Sequence, residues 1–395
     1  MWDICIIGGG ASAMAAAITA ASENPGLSIC VLEKKDALGK KLAATGNGKC
    51  NLTNAGCPNV RQTLEFFSSM GIVTRTDEQG RIYPYSQQAR DVVYGMIRQM
   101  KALGIRTRTG CTAERISRVP GGFQIAFGGG EELSAKRVLL AAGGKAAPQF
   151  GTSGDGYTLA KQMGHTITRL SPVLTALDVK EDFRLLKGIR MKASVGLWKD
   201  ETLISQEEGE VQFTAEGLSG ICVFDLSRFV KFEPGEAFSE GIGRYGIRLD
   251  FLPHMDLRQV EAFLDERCGI PGLKAKELLL SILPSILAER LLSAAQINGD
   301  VQAAQVTEEK LRILAGLLKG WKLTLSGVKG WKTAQCTSGG VELSEIDERT
   351  MESRLAPGFY FAGEIIDYDG PCGGFNLQNA WETGIKAGKA MAASL

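Results

Sequence analysis

Histidine is almost missing from this chain of 395 residues: only His165 and His254 occur. The nine cysteines stand apart at 5, 30, 50, 57, 111, 222, 268, 336 and 372, with no CxxC pair among them. These shortages argue against a structural zinc site and a disulfide framework, so no metal centre is expected. No apolar run approaches the ~18 residues of a membrane-spanning helix, and no membrane association is expected. No Lys or Arg precedes Lys34, whereas a secretory leader opens with positive charge, so a cytoplasmic protein is expected. Charge of one sign is lacking too: 45 basic against 44 acidic residues leave a net +1. That balance lacks the basic field of a nucleic-acid binder, and the expected partner is a small molecule. Internal repeats and low-complexity tracts are absent, and the oligomeric state is left open.

What is present is an ordinary globular composition, 44% hydrophobic and 23% charged, in a chain long enough for two compact regions. "WDICIIGGGASAMAAAITAASENPGLSICVLEK" alternates an apolar strand, a glycine turn, an alanine-rich helix and a second apolar strand. That is one βαβ unit, with ENPG at 23–26 breaking the helix. Amphipathic helices are expected around 60–70 and 87–103, and a strand over 104–119. A hairpin over 121–144 has a GGG turn that feeds a buried strand, Val138 to Ala142. Residues 172–250 carry short strand-like runs punctuated by Gly and Pro, and 256–320 are helix-patterned, with Pro284 expected to kink or divide the clearest helix. Around Trp331 the β texture returns, and 358–393 reads as strand, glycine-rich loop and helix. The expected fold class is α/β. A discontinuous Rossmann-like dinucleotide domain, 1–170 plus 335–395, is interrupted by an inserted domain, 171–334, β-rich over 172–250 and helical over 256–320.

Gly8-Gly9-Gly10-Ala11-Ser12-Ala13 matches GxGxxA between the first strand and the first helix. Gly8 permits the tight turn, Gly10 lets backbone approach a pyrophosphate, and Ala13 keeps the helix close to the strand. The N–H groups at the start of the helix, around Ala11 and Ser12, supply donors and a positive dipole end. Glu33 stands 23 residues after Gly10, at the end of the second strand, placed to meet ribose hydroxyls. Two further glycine pairs follow: Gly143-Gly144 after Ala142, and Gly373-Gly374 before the last helix. One pair alone is an ordinary loop. Three in this order suit FAD, extended across a sheet edge, better than a nicotinamide cofactor. The last helix, starting near residue 375, would offer N–H groups to a flavin's pyrimidine edge and stabilise negative charge developing there.

The chain resembles the BaiN-like family of FAD-dependent oxidoreductases, also described as aminoacetone-oxidase-like flavoproteins. The resemblance runs nearly end to end. It rests on "IIGGGASA", "LEKKDALGKKLAATGNGKCNLTN", "AAGGKAAPQFGTSGDGYTLAKQMGH", "FTAEGLSG" and "CTSGGVELSEIDERTMESRLAPGFYFAGEIIDYDGPCGGFNLQNAW". The second and last blocks are the specific ones. The resemblance implies a Rossmann-like FAD domain carrying an insert with a β-rich and a helical part. It also implies that Gly8, Gly10, Ala11, Ser12 and Ala13 hold the pyrophosphate and Glu33 the adenosine ribose. Lys34, Lys40 and Lys41 fall in the loop beside the cofactor, and Ala113 would offer backbone to adenine. Gly363 and Glu364, with Asp367 nearby, would meet the ribityl or pyrophosphate portion. Gly374, Phe375, Asn376 and Leu377 would meet the isoalloxazine. Ala215-Glu216 stands where the family more often has His-Thr, so any role of that His passes to another donor or another substrate. Members of the family are assigned to reduction of steroid-type enones and to amine oxidation.

"AATGNGKCNLTN" at 43–54 could be a phosphate cradle, half of a metal site, a nucleophile loop or a surface turn. It lies in a family-specific block and lacks metal or disulfide partners, since Cys57 is seven residues beyond Cys50. It therefore reads as a loop wrapping the flavin side of FAD, with Gly46, Asn47, Gly48, Lys49, Cys50 and Asn51 as cofactor neighbours. Cys5 and Cys30 read as small core residues within strands. His165 is expected at a surface or helix end, and His254 is assigned no role. With histidine so scarce, the FAD is expected to be non-covalent.

For enone reduction, flavin N5 would deliver hydride to the β-carbon and an acid would protonate the α-carbon. Tyr368, Asp369, Cys372 and Tyr85 are the candidate acids, each more readily read as a structural loop residue. No second strand–GxGxxG–helix unit exists, so NAD(P)H would visit transiently, or another donor or oxygen would take its place. The insert is expected to wall the substrate side. The expected function is hydride transfer to a small hydrophobic substrate such as a steroid-type enone, with NAD(P)H as reductant. The alternatives are a flavin amine oxidase using oxygen, a flavin carrier, and an FAD-bearing RNA-modifying or RNA-binding protein. For the last, only "RQMKALGIRTRTG" at 98–110 is locally basic.

Overall fold

Apolar runs without polar alternation form strands covered on both faces. Trp2–Ile7 (β1) and Ile29–Glu33 (β2) are such runs, paired in parallel with Cys5 opposite Cys30. Between them Ala11–Glu23 (α1), rich in alanine, is buried along most of its length. The computed structural model that shows this describes residues 1–232 and 236–395. Lys40–Gly48 (α2), Thr53–Asn54 (β3), Val60–Ser69 (α3), Thr74–Thr76 (β4), Arg81–Pro84 (β5) and Ala89–Ala102 (α4) follow. β3, β5 and β4 make a small antiparallel sheet of their own. The stretch from Ala43, expected as loop, thus begins inside α2; helical dihedrals end at Thr45, with φ −65° and ψ 147°.

Arg106–Thr109 (β6), Ala113–Val119 (β7), Gly122–Phe127 (β8) and Glu131–Leu140 (β9) return to the first sheet, and Asp155–Gln162 (α5) follows. The segment 104–119, expected as one strand, is two. Gly110 turns the chain with φ 70°, so β6 joins β2 in parallel while β7 pairs antiparallel with β8. Ser171–Val173 (β10) then leads to a second compact unit, Val173–Gly330.

In that unit Leu177–Val179 (β11), Arg190–Lys199 (β12), Thr202–Phe213 (β13), Gly217–Ser219 (β14), Tyr245–Asp250 (β15) and Trp321–Val328 (β16) close a barrel. The order is β11-β14-β13-β12-β15-β16, and closure leaves no open sheet edge. Phe183, Phe213 and Trp321 pack in its core, with ring centroids 5.2 Å apart for Phe183–Phe213 and 5.5 Å for Phe183–Trp321. Among the described residues, five α-helices belong to this unit: Ile221–Ser227 (α6), Phe238–Ile242 (α7), Leu257–Cys268 (α8), Ser285–Ala294 (α9) and Glu308–Gly320 (α10). Asp256 and Gln259 close a reciprocal capping box on α8. Pro284 divides the clearest helical pattern: α9 begins just after it, and only a single 3₁₀ turn, Ala275–Glu277, precedes it. Residues 233–235, inside the expected β-rich stretch, lie outside the described residues.

The first unit, Met1–Pro172 with Trp331–Leu395, is completed by Cys336–Ser338 (β17), Phe359–Phe361 (β18) and Phe375–Ala393 (α11). β17 pairs with β10, and β18 adds in parallel to β9. The main sheet is seven-stranded, β6-β2-β1-β9-β8-β7 with β18 also on β9. At Gly384 and Gly388, α11 lies against α1 with no room for a side chain. A Cβ on Gly384 would stand 2.4 Å from the Ser12 carbonyl oxygen, and one on Gly388 2.5 Å from that of Ala16. The fold is an α/β Rossmann type carrying a barrel-and-helix insert. No helix among the described residues is long and apolar enough to cross a membrane.

Candidate functional site

The turn between β1 and α1 is held by its own neighbours. Gly8 has φ 108°, and a Cβ there would meet the Ala141 carbonyl oxygen at 2.3 Å. Gly9 donates its N–H to Glu33 Oε2 at 2.7 Å, and Lys35 donates to Glu33 Oε1, also at 2.7 Å. Each Glu33 oxygen keeps a free acceptor direction for a hydroxyl. Gly10 differs from both: nothing lies within 4 Å of a Cβ built on it, and its φ of −83° suits any residue. No side chain caps α1, and the amides of Ala11, Ser12 and Ala13 have no protein acceptor among the described residues. An open glycine before an uncapped helix start fits a pyrophosphate.

A second cluster ties this turn to the C-terminal stretch. Gly363, with φ 80°, would place a Cβ 2.4 Å from Ser12 Oγ, and Ser12 Oγ donates to the Ala362 carbonyl at 3.2 Å. Glu364 accepts from Lys41 Nζ at 2.6 Å and from the Thr337 amide at 2.9 Å. Thr337 Oγ1 in turn accepts from the amides of Lys145 and Ala146, at 2.8 and 3.0 Å. Gly144 is required here, because a Cβ would lie 2.4 Å from Thr337 Oγ1. Gly143 has φ 73°, Ala142 is half-buried between β9 and this turn, and the Asp367 amide donates to the Val341 carbonyl at 3.1 Å. The other two lysines are paired within the protein, Lys34 with Asp155 and Ser153, Lys40 with Asp36. Ala113 opens β7 opposite Phe127.

The loop after α2 is joined to the start of α11. Gly46, Asn47, Gly48 and Cys50 all have positive φ, 56°, 54°, 81° and 56°, and Lys49 is exposed. Asn54 Nδ2 donates to the Gly373 carbonyl at 3.0 Å, and Thr53 Oγ1 donates to Gln378 Oε1 at 2.7 Å. Trp381 Nε1 donates to the Leu52 carbonyl at 2.8 Å. Gly374, with φ 108°, would place a Cβ 2.5 Å from the Thr53 carbonyl carbon. No side chain caps α11, and the amides of Phe375, Asn376 and Leu377 have no protein acceptor among the described residues. The Asn376 side chain is spent on its own loop, accepting from the Gly370 amide and donating to the Gly370 carbonyl, both at 2.8 Å. Asn51 Oδ1 is buried without a partner. A buried acceptor left open beside an uncapped helix start suits a ligand N–H or hydroxyl. The residues present therefore fit a flavin dinucleotide.

Cys50 is buried, and desolvation pushes its thiol up to about 12, so at neutral pH it holds its proton and is a poor nucleophile. Among the candidate acids, Tyr85 is 65% exposed and faces Arg75, and Tyr368 is 38% exposed. Asp369 and Cys372 sit in the loop before Gly373-Gly374, with Cys372 half-buried. Glu216 pairs with Lys329 in the barrel unit. His165 is not at the surface: it is buried, bonded to Glu345 Oε2 at 3.0 Å and Ser353 Oγ at 2.8 Å, with Phe361 at 4.6 Å. Burial, opposed by the Glu345 carboxylate, holds its pKa below the usual histidine range. Thr337, Thr53, Gln378 and Trp381 were not singled out by sequence, because each acts on a partner far along the chain.

Residues 58–390 match the family described as "HI0933-like protein Rossmann domain". The chain is 38% identical to a 3-dehydro-bile acid delta(4,6)-reductase of Clostridium scindens, over 98% of each chain. It is 28% identical to a ribosomal RNA dihydrouridine synthase of Escherichia coli, over 97% of this chain and 96% of that one. The fold is similar to that of 3-ketosteroid delta1-dehydrogenase from Sterolibacterium denitrificans, with TM-score 0.54 at 12% identity over 100% of both chains. The family match and the 38% identical reductase, over a Rossmann sheet with these glycine turns, make the chain an FAD-dependent oxidoreductase. The chain belongs to the HI0933-like, or BaiN-like, family of Rossmann-domain FAD-binding proteins.

Proposed function

We propose that this protein reduces a carbon–carbon double bond conjugated to a ketone, in a flat apolar substrate of steroid type. The cofactor is non-covalent FAD, and NAD(P)H visits as reductant. The observation that carries the reading is the junction of Leu52–Asn54, directly after the loop 46–51, with the uncapped start of α11. Its amides and the open Asn51 acceptor suit a flavin ring, and no activated thiol competes there. The substrate class rests on the bile acid reductase, which is 38% identical over 98% of both chains.

FAD, when bound, supplies the hydride. The amides at 11–13 would hold the pyrophosphate, Glu33 the ribose, and the amides at 375–377 would offer donors to the flavin's pyrimidine edge. A non-covalent cofactor is supported by the histidines: both ring nitrogens of His165 are engaged, and His254 is exposed in the barrel unit. A reducing cytoplasm is supported by the nine cysteines, all free thiols.

Anaerobic stopped-flow tests the proposal. NADH or NADPH should bleach the flavin, and a 4-en-3-one steroid should restore it. Bleaching by an amine alone would instead favour the oxidase, and the reductase reading would fall. A second reading is favoured by the two ribosomal RNA dihydrouridine synthases, at 28% and 24% identity. The C5=C6 bond of uracil is also conjugated to a carbonyl, so the same chemistry would serve. Reoxidation by a uridine-rich transcript and not by the steroid would select that reading, against the net charge of +1.

A further inference from the structure

β5 carries two residues that lie against the glycine loops, one against each. Arg81 and Tyr83 lie two apart on this strand and share a face. A Cβ built on Gly46 would lie 3.9 Å from Tyr83 Cε1, and the same position lies 3.2 Å from the Asn51 amide. A Cβ built on Gly373 would lie 3.9 Å from Arg81 Cγ. One strand face therefore lies along the loop at 46–51 and reaches the glycines that open α11.

We propose that Tyr83 is the proton donor of the reduction. This rests on the enone-reductase reading above. The ring is half-buried, and its hydroxyl has no hydrogen-bond partner among the described residues, so its proton is uncommitted. Burial raises the phenol's pKa above its ordinary value, outweighing the nearby Arg81, so the proton stays on at neutral pH. The charged groups around it are Arg81 and Asp77 on its own hairpin and Arg75 opposite it on β4. Arg81 is anchored by Asp77, Nε to Oδ2 at 2.8 Å, which keeps it from swinging away.

In the step itself, hydride forms the new C–H bond at the β-carbon and the π pair moves toward the carbonyl. The Tyr83 O–H bond breaks to give the C–H bond at the α-carbon, and water reprotonates the phenolate. Tyr83 was missed in the sequence because Tyr85, two residues on, is the same residue type in the same run. Only the strand register separates them: Tyr83 lies within β5, whereas Tyr85 is past its end and exposed.

The test is Tyr83→Phe in the FAD-loaded full chain, with Tyr94→Phe, exposed on α4, as control. Pre-reduced enzyme is mixed with a 4-en-3-one steroid. In Tyr83→Phe, flavin reoxidation should slow by ~10²-fold or more, the range for a lost general acid. The alkaline limb of the wild-type pH profile should vanish, while FAD affinity, read by flavin fluorescence on the apo-protein, and thermal midpoint stay put. A fluorinated tyrosine at 83, with a more acidic phenol, should move that limb to lower pH. Reoxidation within threefold of wild type with an unchanged pH profile would remove Tyr83 from the mechanism and leave the reductase reading standing. Wild type that no enone reoxidises would overturn both.

Discussion

At the start of α1, the atom that forbids a side chain on Gly8 is the Ala141 carbonyl oxygen, 2.3 Å from a built Cβ. At the start of α11, Gly374 is blocked by the backbone of Thr53, 2.5 Å away. Both glycines have φ 108°, and both helices are uncapped. In the first turn the constraint comes from Ala141, the residue that leaves β9, the neighbouring strand of the same sheet. In the second it comes from Thr53 of the two-residue strand β3, more than three hundred residues earlier in the chain. The first turn also holds a glycine that the protein itself does not need, Gly10. The nucleotide end is thus built by sheet geometry, and the flavin end by long-range contact.

The hardest break of this comparison is Gly8→Ala. Positive φ and a backbone clash together should destabilise the apo-protein by more than about 3 kcal/mol in urea unfolding, and ADP binding should vanish. Gly374→Ala should cost about 1–3 kcal/mol, because β3 is a two-residue edge strand of a small sheet and yields more easily than the main sheet. ADP should still bind this variant, while the bound flavin's spectrum shifts. If Gly374→Ala abolishes ADP binding as well, the two ends are not separable.

Gly10→Ala sharpens the contrast inside one turn. Its apo-stability should move by no more than ~0.5 kcal/mol, while ADP and FAD affinity fall about tenfold, ~1.4 kcal/mol. Calorimetric titration showing unchanged affinity would mean that no ligand approaches Gly10.

The smallest effect belongs to neither turn. His165 titrates below its unfolded value of 6.5, so below that pH the unfolded chain binds more protons than the folded one. Stability should therefore be flat above about 6.5 and fall as pH drops from there toward the folded value. His165→Gln should flatten that slope between pH 7 and 5 while leaving ADP affinity unchanged. A slope that persists in the variant would assign the effect to other groups.

The legible parts were those whose signal and constraint lie close together. β1, α1 and β2 follow from an apolar run, three glycines and an alanine-rich helix within about one βαβ unit. The GGG hairpin and the divided helix at Pro284 were legible for the same reason. The burial of His165 was not, since a lone histidine says nothing of Glu345 and Ser353 closing on it from 180 and 188 residues away. The strand expected over 104–119 failed because Gly110 sends its two halves to different partners. Nor does strand texture over 172–250 say that the ends of the sheet meet; β11 pairs with β16 across the whole insert.

By itself, then, the sequence determined the α/β class, the dinucleotide turn and the glycine spacing, because backbone sterics and hydrophobic period act over a few residues. Tertiary structure alone decided that the barrel closes, that Leu52–Asn54 meets α11, and that Tyr83 lies against Gly46. Those outcomes depend on which strands pair and in what register, and pairing is settled by packing between segments that the chain keeps far apart.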